Sequence, residues 1–151
     1  MRIRLARRED IPRILEIRHH TFSHFAPSAY SQAEVQLLLD DVDPSEFVRM
    51  VEQASLFVAE DGAVVLGCGG WLLDALRHMY VSPESTRTGI GSALLRVVEP
   101  DFLARSGHDV IRAGVILYAR AFYEKNGYEF VSMAADPRDG SEFYIMRKKL
   151  P

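Results

Sequence analysis

A polar turn passes into a helical tail at Thr88-Gly89-Ile90-Gly91-Ser92, with Arg87 directly ahead. The first amides of a helix have no acceptor within the helix, and the aligned peptide dipoles place partial positive charge at that end. Glycine lets an anion approach such amides without meeting a Cβ. Arg87 adds a full charge and a forked donor that matches phosphate oxygens. The stretch therefore suits a ligand carrying a di- or triphosphate. Close packing of a helix onto a strand explains the same glycines equally well. Two phosphate loops are excluded by spacing: no Gly-Lys-Ser/Thr follows, and Leu94 stands where a dinucleotide fingerprint needs its third glycine.

Other side chains with chemical potential are fewer. His19, His20 and His24 share one short span with Phe22, Phe25 and Tyr30. No Cys, Asp or Glu completes a tight cluster there, so the span reads as an aromatic wall with some histidine hydrogen bonding, and no metal is expected. Trp71, after the glycine pair Gly69-Gly70, either joins that wall or belongs to the core. Cys68 is the only cysteine of the chain. It admits no internal disulfide, and in an apolar strand it reads as small core filler rather than a nucleophile.

The elements that must position these residues follow from periodicity and caps. Ile3–Ala6 reads as an opening strand, and Ile11, Ile14, Leu15, Arg18 and Phe22 keep helical spacing. Ser31 with Glu34 forms a capping box for a second helix, and Pro44 opens a third. Asp61-Gly62 is predicted as a two-residue hairpin turn between β-rich arms. The glycines of Gly67–Gly70 read as a bulge or a close backbone approach. ALRHMYV is a strand, and a helix from Thr88 to about Ser106 follows it. Pro100 removes an amide donor and crowds the Arg96 carbonyl, which predicts a kink or break near Glu99. DVIRAGVIL is a strand, YARAFYEKNG a short helix closed by Gly127, and YEFVSM and EFYIMRKKL are final strands. The order implies one mixed α/β domain spanning residues 1–151, not a doubly wound sheet.

Bulk composition narrows the function class. The 151 residues are 48% hydrophobic and 26% charged, an ordinary globular mixture. A net charge of −3 argues against nucleic acid as a partner, which needs a basic face. The longest apolar runs are too short for a membrane span, and MRIRLARRED lacks an apolar leader core, so a cytoplasmic location is expected.

YVSPESTRTGIGSALL resembles the acetyl-CoA signature of the GNAT (GCN5-related) N-acetyltransferase superfamily. Val81, Pro83, Gly89, Ile90, Gly91, Leu94 and Leu95 fall where that pattern wants them, whereas Thr86 stands at its Arg/Gln position and Arg87 where glycine is common. YARAFYEKNGYEF is similar to the later motif of the same family. Ala119, Phe122, Tyr123, Lys125, Gly127 and Tyr128 match it, and Ile116 replaces its usual asparagine. The likeness extends to the opening IRLARREDIPRILEI and the central VAEDGAVVLGCGG, so it covers essentially the whole chain.

The resemblance implies a mixed, mostly antiparallel central sheet with two splayed central parallel strands, flanked by helices. It implies acetyl transfer from acetyl-CoA to a primary amine of a small molecule or peptide by direct attack, without an acyl-enzyme. The pantetheine arm would bind backbone near Met79 and Val81, and the diphosphate would meet Arg87, Thr88, Gly89, Ile90, Gly91 and Ser92. Tyr123 would protonate the departing thiolate, since a phenol keeps its proton at neutral pH. Asp74 and His78 are candidates for the base, with a turn acid and a satisfied strand histidine as the plainer readings. Strand alternation sets Arg77, Met79 and Val81 on one face and His78 with Tyr80 on the other. Phe22, Phe25, Tyr30 and Trp71 would form the acceptor side. A non-catalytic acyl-CoA-binding or sensor module is the second reading, and the last strand offers an edge for a homodimer.

Overall fold

The computed structural model describes residues 1–151. In chain order the elements are β1 (Arg2–Leu5), α1 (Ile11–Phe25), α2 (Gln32–Asp40), α3 (Pro44–Glu52), β2 (Leu56–Asp61), β3 (Val64–Leu72), β4 (Ala75–Val81), α4 (Ile90–Arg105), β5 (Val110–Ile116), α5 (Arg120–Lys125), β6 (Glu129–Ala135) and β7 (Glu142–Lys149). The caps read from sequence are in place. Ser31 Oγ accepts from the Glu34 amide at 3.2 Å, and Glu34 accepts from the Ser31 amide at 2.9 Å. Asp43 accepts from the Ser45 amide at 3.0 Å with Pro44 at the first position of α3.

Seven strands form one sheet in the order β1-β2-β3-β4-β5-β7-β6. Every neighbouring pair is antiparallel except β4 and β5. Those two run parallel and share a single register pair, Ala75 with Arg112, flanked by a bond from the Arg112 amide to the Asp74 carbonyl at 3.1 Å. Beyond it they part, which leaves an opening in the middle of the sheet.

Strand alternation feeds a core on each face. Leu56 and Val58 of β2 point toward α1 and α3, where they join Ile14, Ile17, Phe47 and Met50. Phe57 and Ala59 point the other way, toward Leu94, Leu95, Val98 and Phe102 of α4. Each such fully buried side chain contributes about 1.5–3 kcal/mol through water exclusion, so both helical layers are anchored independently of any ligand. Gly70 explains the glycine-rich β3: a Cβ there would run into the Ser55 carbonyl.

Besides the last strand, which as β7 is paired on both sides by β5 and β6 and so offers no free edge for a homodimer, three expectations need correction. The two-residue turn is Gly62-Ala63, because Asp61 still pairs with Val64. Gly62 has φ 62° and takes the first turn position, where a left-handed conformation is needed. Second, α4 continues unbroken through Pro100. Pro100 and Arg96 are both exposed, so water can satisfy the carbonyl that loses its donor, while Leu94, Leu95, Val98 and Phe102 hold the helix against the sheet. Third, alternation along β4 is interrupted. Tyr80 pairs with Cys68 but Arg77 pairs with Gly70, so His78 and Met79 together face Gly69 as a β-bulge, with His78 at φ 59°. Arg77 and His78 consequently both reach Glu46, at 4.0 and 2.7 Å.

Candidate active site

The opening between β4 and β5 is bordered by the turn that joins β4 to α4. Every amide from Thr86 to Ser92 lacks a main-chain acceptor; the first bond of the helix is Ala93 to the Gly89 carbonyl at 3.0 Å. The turn is held by side chains instead. Thr86 Oγ1 donates to the Pro83 carbonyl at 3.1 Å, and Thr88 Oγ1 donates to the Ser85 carbonyl. Arg87 is exposed with φ 66°, and Gly89 follows at φ 83°. A non-glycine residue in that region costs about 1–3 kcal/mol, and such strain tends to collect at functional sites.

The two glycines serve different ends. A Cβ on Gly89 would meet nothing within 4 Å, so this glycine answers to its left-handed backbone and leaves the amides open to an anion. A Cβ on Gly91 would lie 2.8 and 2.9 Å from the edge of the Phe122 ring. Gly91 is there to seat α4 against α5. Anion approach and close packing, equally plausible from sequence, each own one residue.

Along β4, Val81 turns its amide and carbonyl away from β3, because the adjacent Ser82 amide donates to Leu66 at 2.8 Å and ladder groups alternate sides. The Val81 carbonyl takes the Thr21 hydroxyl of α1 at 3.1 Å. Met79 and Val81 pack with the α4-side core, and Tyr80 with the α1 side.

Tyr123 in α5 is buried, edge-on to Phe122 at 5.0 Å and to Tyr128 at 5.5 Å. Burial pushes its phenol well above the usual range, and no hydrogen bond of the protein opposes that. The group therefore holds a proton at neutral pH with a hydroxyl free to donate. The Tyr118 hydroxyl, between β5 and α5, is buried with no partner, and its ring stacks on Phe25 at 5.8 Å. The Tyr80 phenol lies close enough to both that a charge on it would raise each of theirs. Tyr80 near the end of β4, and Tyr118 and Tyr123 just past the end of β5, thus lie at the same end of the two parallel strands. Tyr118 was not singled out from sequence, although it stands inside the YARAFYEK motif.

On the α1 side, Phe22 meets Tyr80 edge-on at 5.6 Å. The Tyr30 hydroxyl donates to the Glu142 carbonyl at 2.7 Å and accepts from the Leu117 amide at 3.1 Å, which ties the end of α1 to β5 and β7. Phe22, Phe25 and Tyr30 therefore form one wall. Trp71 does not join it. Its indole donates to Asp101 at 2.8 Å and packs edge-on to Phe102 at 5.6 Å. Asp101 is ten residues past Gly91, about 15 Å along the helix. Asp74 is likewise displaced. It sits in the β3–β4 turn where β4 and β5 are still joined, seven residues and roughly 23 Å of strand from Val81. The Cys68 thiol is fully buried and donates to the His78 carbonyl at 3.2 Å, with burial raising it to about 12, which suits core filler. His19, His20 and His24 are exposed, and no group of three or more His, Cys, Asp or Glu side chains is placed to share a metal ion.

His78 is better placed. Its Nε2 lies 2.7 Å from Glu46 Oε1 and its Nδ1 lies 3.0 Å from the Tyr80 hydroxyl. Burial lowers its pKa below the ordinary value and outweighs the opposing pull of Glu46. The ring is neutral at pH 7. Glu46 is 32 residues from His78 in the chain, and no sequence spacing connects the two.

A mixed seven-stranded sheet parted at its one parallel pair, with free amides at the turn beside the gap, defines the class of fold. The family model described as "Acetyltransferase (GNAT) domain" matches residues 52–130, just over half of the chain, and the protein belongs to that family. No curated protein matches the sequence. Solved structures match throughout. A GCN5-related N-acetyltransferase from Rhodopseudomonas palustris has a TM-score of 0.88 at 19% identity, covering 99% of this chain and 95% of its own. PaiA N-acetyltransferase from Thermoplasma acidophilum, in complex with coenzyme A, has a TM-score of 0.75 at 22% identity, covering 98% of each. YncA from Salmonella typhimurium, a putative acetyltransferase with acetyl-CoA, has a TM-score of 0.73 at 22% identity, covering 100% of this chain and 94% of its own.

Proposed function

We propose that the protein transfers an acetyl group from acetyl-CoA to a primary amine of a small molecule or peptide by direct attack within a ternary complex. The observation that carries this reading is the run of unpaired amides from Thr86 to Ser92 at the mouth of the β4–β5 opening. The residues fit the coenzyme. The free amides of Thr88, Gly89, Ile90, Gly91 and Ser92, with Arg87 beside them, would hold a diphosphate. The Val81 main chain, turned from β3, would hydrogen-bond the pantetheine arm as an added strand, with Met79 beside it.

Positioning two reactants supplies most of the acceleration in such a scheme, so no nucleophile is needed. Tyr123 protonates the thiolate as it leaves, because its phenol holds its proton and no group of the protein takes its hydroxyl. His78 is the candidate base. Asp74, at the joined end of the strands, has no part in this reading. Phe22, Phe25 and Tyr30 line the acceptor side, and the partner is an amine rather than nucleic acid or a membrane.

The test is thiol release. Incubation with acetyl-CoA and a panel of amines should liberate free coenzyme A with at least one acceptor. Tyr123→Phe should lower kcat by roughly a hundredfold while calorimetric coenzyme affinity stays within about twofold. Coenzyme binding with no thiol release from any amine would instead select a non-catalytic acyl-CoA-binding module.

A further inference from the structure

The β4 bulge does more than interrupt alternation. It turns the His78 ring into a slot between Glu46 and Tyr80, tilted 36° over Phe47 with centroids 4.2 Å apart. A carboxylate only accepts, so the Nε2 that meets Glu46 carries the hydrogen and Nδ1 is left as an acceptor. Tyr80 must then donate its hydroxyl hydrogen to Nδ1, and its oxygen, which also faces the Arg18 guanidinium, keeps a lone pair to accept from elsewhere. Both ring nitrogens are engaged. His78 reaches a substrate only through Tyr80, which stands near the parted end of β4 beside Phe22.

We propose that Tyr80, His78 and Glu46 form the relay that takes up the proton of the attacking amine, with the Tyr80 oxygen as the atom that touches the amine. This rests on the acetyltransferase reading above. As the amine nitrogen bonds to the acetyl carbon, its N–H proton passes to the Tyr80 oxygen and the Tyr80 proton passes to His78 Nδ1. The N–H electron pair stays on nitrogen. The electron pair of the breaking C–S bond leaves with sulfur, which takes its proton from Tyr123. Glu46 faces the new imidazolium, fixes its tautomer and compensates its charge. Once product departs, the Nδ1 proton returns to Tyr80 and the Tyr80 proton leaves to water, while Tyr123 regains from water the proton it gave to sulfur, which restores the starting state.

Tyr80 is the catalytic residue of the relay; His78 and Glu46 act through it. The charged and titratable groups facing the ring are Glu46 from α3, Arg18 from α1, and Arg77 and Tyr80 from β4, with the Cys68 thiol of β3 on the His78 carbonyl. Arg18 and Arg77 disfavour the imidazolium and Glu46 favours it, so the ring is charged only transiently.

Nitrogen NMR of the ligand-free protein tests the arrangement without turnover. The expected result is the Nε2–H tautomer of His78, titrating below 6.5, and titrating lower still in Glu46→Gln, where the stabilising charge is gone. Turnover tests the chemistry. Tyr80→Phe and His78→Gln should each lower kcat by roughly a hundredfold while the KM for acetyl-CoA stays within about twofold, and Glu46→Gln should move the acidic limb of kcat/KM to lower pH. An Nδ1–H tautomer, or undiminished thiol release by Tyr80→Phe, overturns the relay and leaves the acetyltransferase reading standing. Absence of thiol release from the unaltered protein with every amine overturns both.

Discussion

Replacing Gly91 with alanine sets two opposed effects against each other, and the structure decides which one prevails. Alanine is a better helix residue, worth up to about 1 kcal/mol over glycine. The new methyl carbon, however, would lie 2.8 and 2.9 Å from two atoms of the Phe122 ring, closer than such atoms approach. Phe122 cannot swing freely, because it is wedged edge-on against Tyr123 at 5.0 Å. Overpacking of this kind costs about 1–3 kcal/mol. The expected net effect is a loss of about 1 kcal/mol, with kcat reduced as the Tyr123 ring is displaced. Urea unfolding of Gly91→Ala, Phe122→Leu and the double variant measures the coupling directly. The steric account requires the alanine to be harmless or stabilising once Phe122 is leucine, with a coupling energy of at least about 1 kcal/mol. If Gly91→Ala alone stabilises by the full helix increment, the ring moves aside at no cost and the assignment of Gly91 to packing is wrong.

Further outcomes are expected elsewhere. Arg87→Gly should relieve the left-handed strain at φ 66° yet weaken coenzyme affinity about tenfold, most strongly at low salt; equal affinity by calorimetry would remove Arg87 from the diphosphate site. Pro100→Ala restores a donor to a helix that already continues through this position, and should stabilise by about 2 kcal/mol in thermal unfolding after allowing for the stiffer unfolded chain that proline provides. Glu99→Ala should destabilise by about 3 kcal/mol, because the buried carboxylate receives the Tyr128 hydroxyl at 2.7 Å and Lys148 at 2.9 Å. Arg4 holds the Asp10 carboxyl below its ordinary range through bonds of 2.8 and 3.0 Å. A depressed folded pKa means that this stabilisation is present above the unfolded value near 3.9 and disappears as pH falls through the lower folded one. Asp10→Asn should cost about 2 kcal/mol at neutral pH and flatten that acid limb of the stability curve.

Local signals carried most of the architecture. The capping box at Ser31, Pro44 at the head of α3 and Gly127 after α5 act within a few residues, and the folded chain keeps them. Pro100 does not break α4, because propensity is a local quantity, whereas α4 is held by a whole apolar face that no single donor controls. The glycine turn with its free amides was legible for the same local reason, since glycine, turn and helix start are contiguous. The rest of the site was not. Glu46 and His78 meet only because α3 packs beside β4, and the bulge that aims His78 comes from a register offset with β3. Trp71 and Asp74 show the converse: both adjoin β4 in sequence, but strand and helix lengths carry them well away from the opening.

The lone bridge between Ala75 and Arg112 leaves the sheet as two rafts, one of four strands and one of three, hinged near one end. A coenzyme bound between them as proposed would act as a splint, replacing rungs that the polypeptide does not supply. Its concentration would then raise the stability of the folded chain as well as the rate of the reaction, by ordinary mass action. Slower amide exchange in β4 and β5 together, rather than in either raft alone, is the mark such a splint would leave.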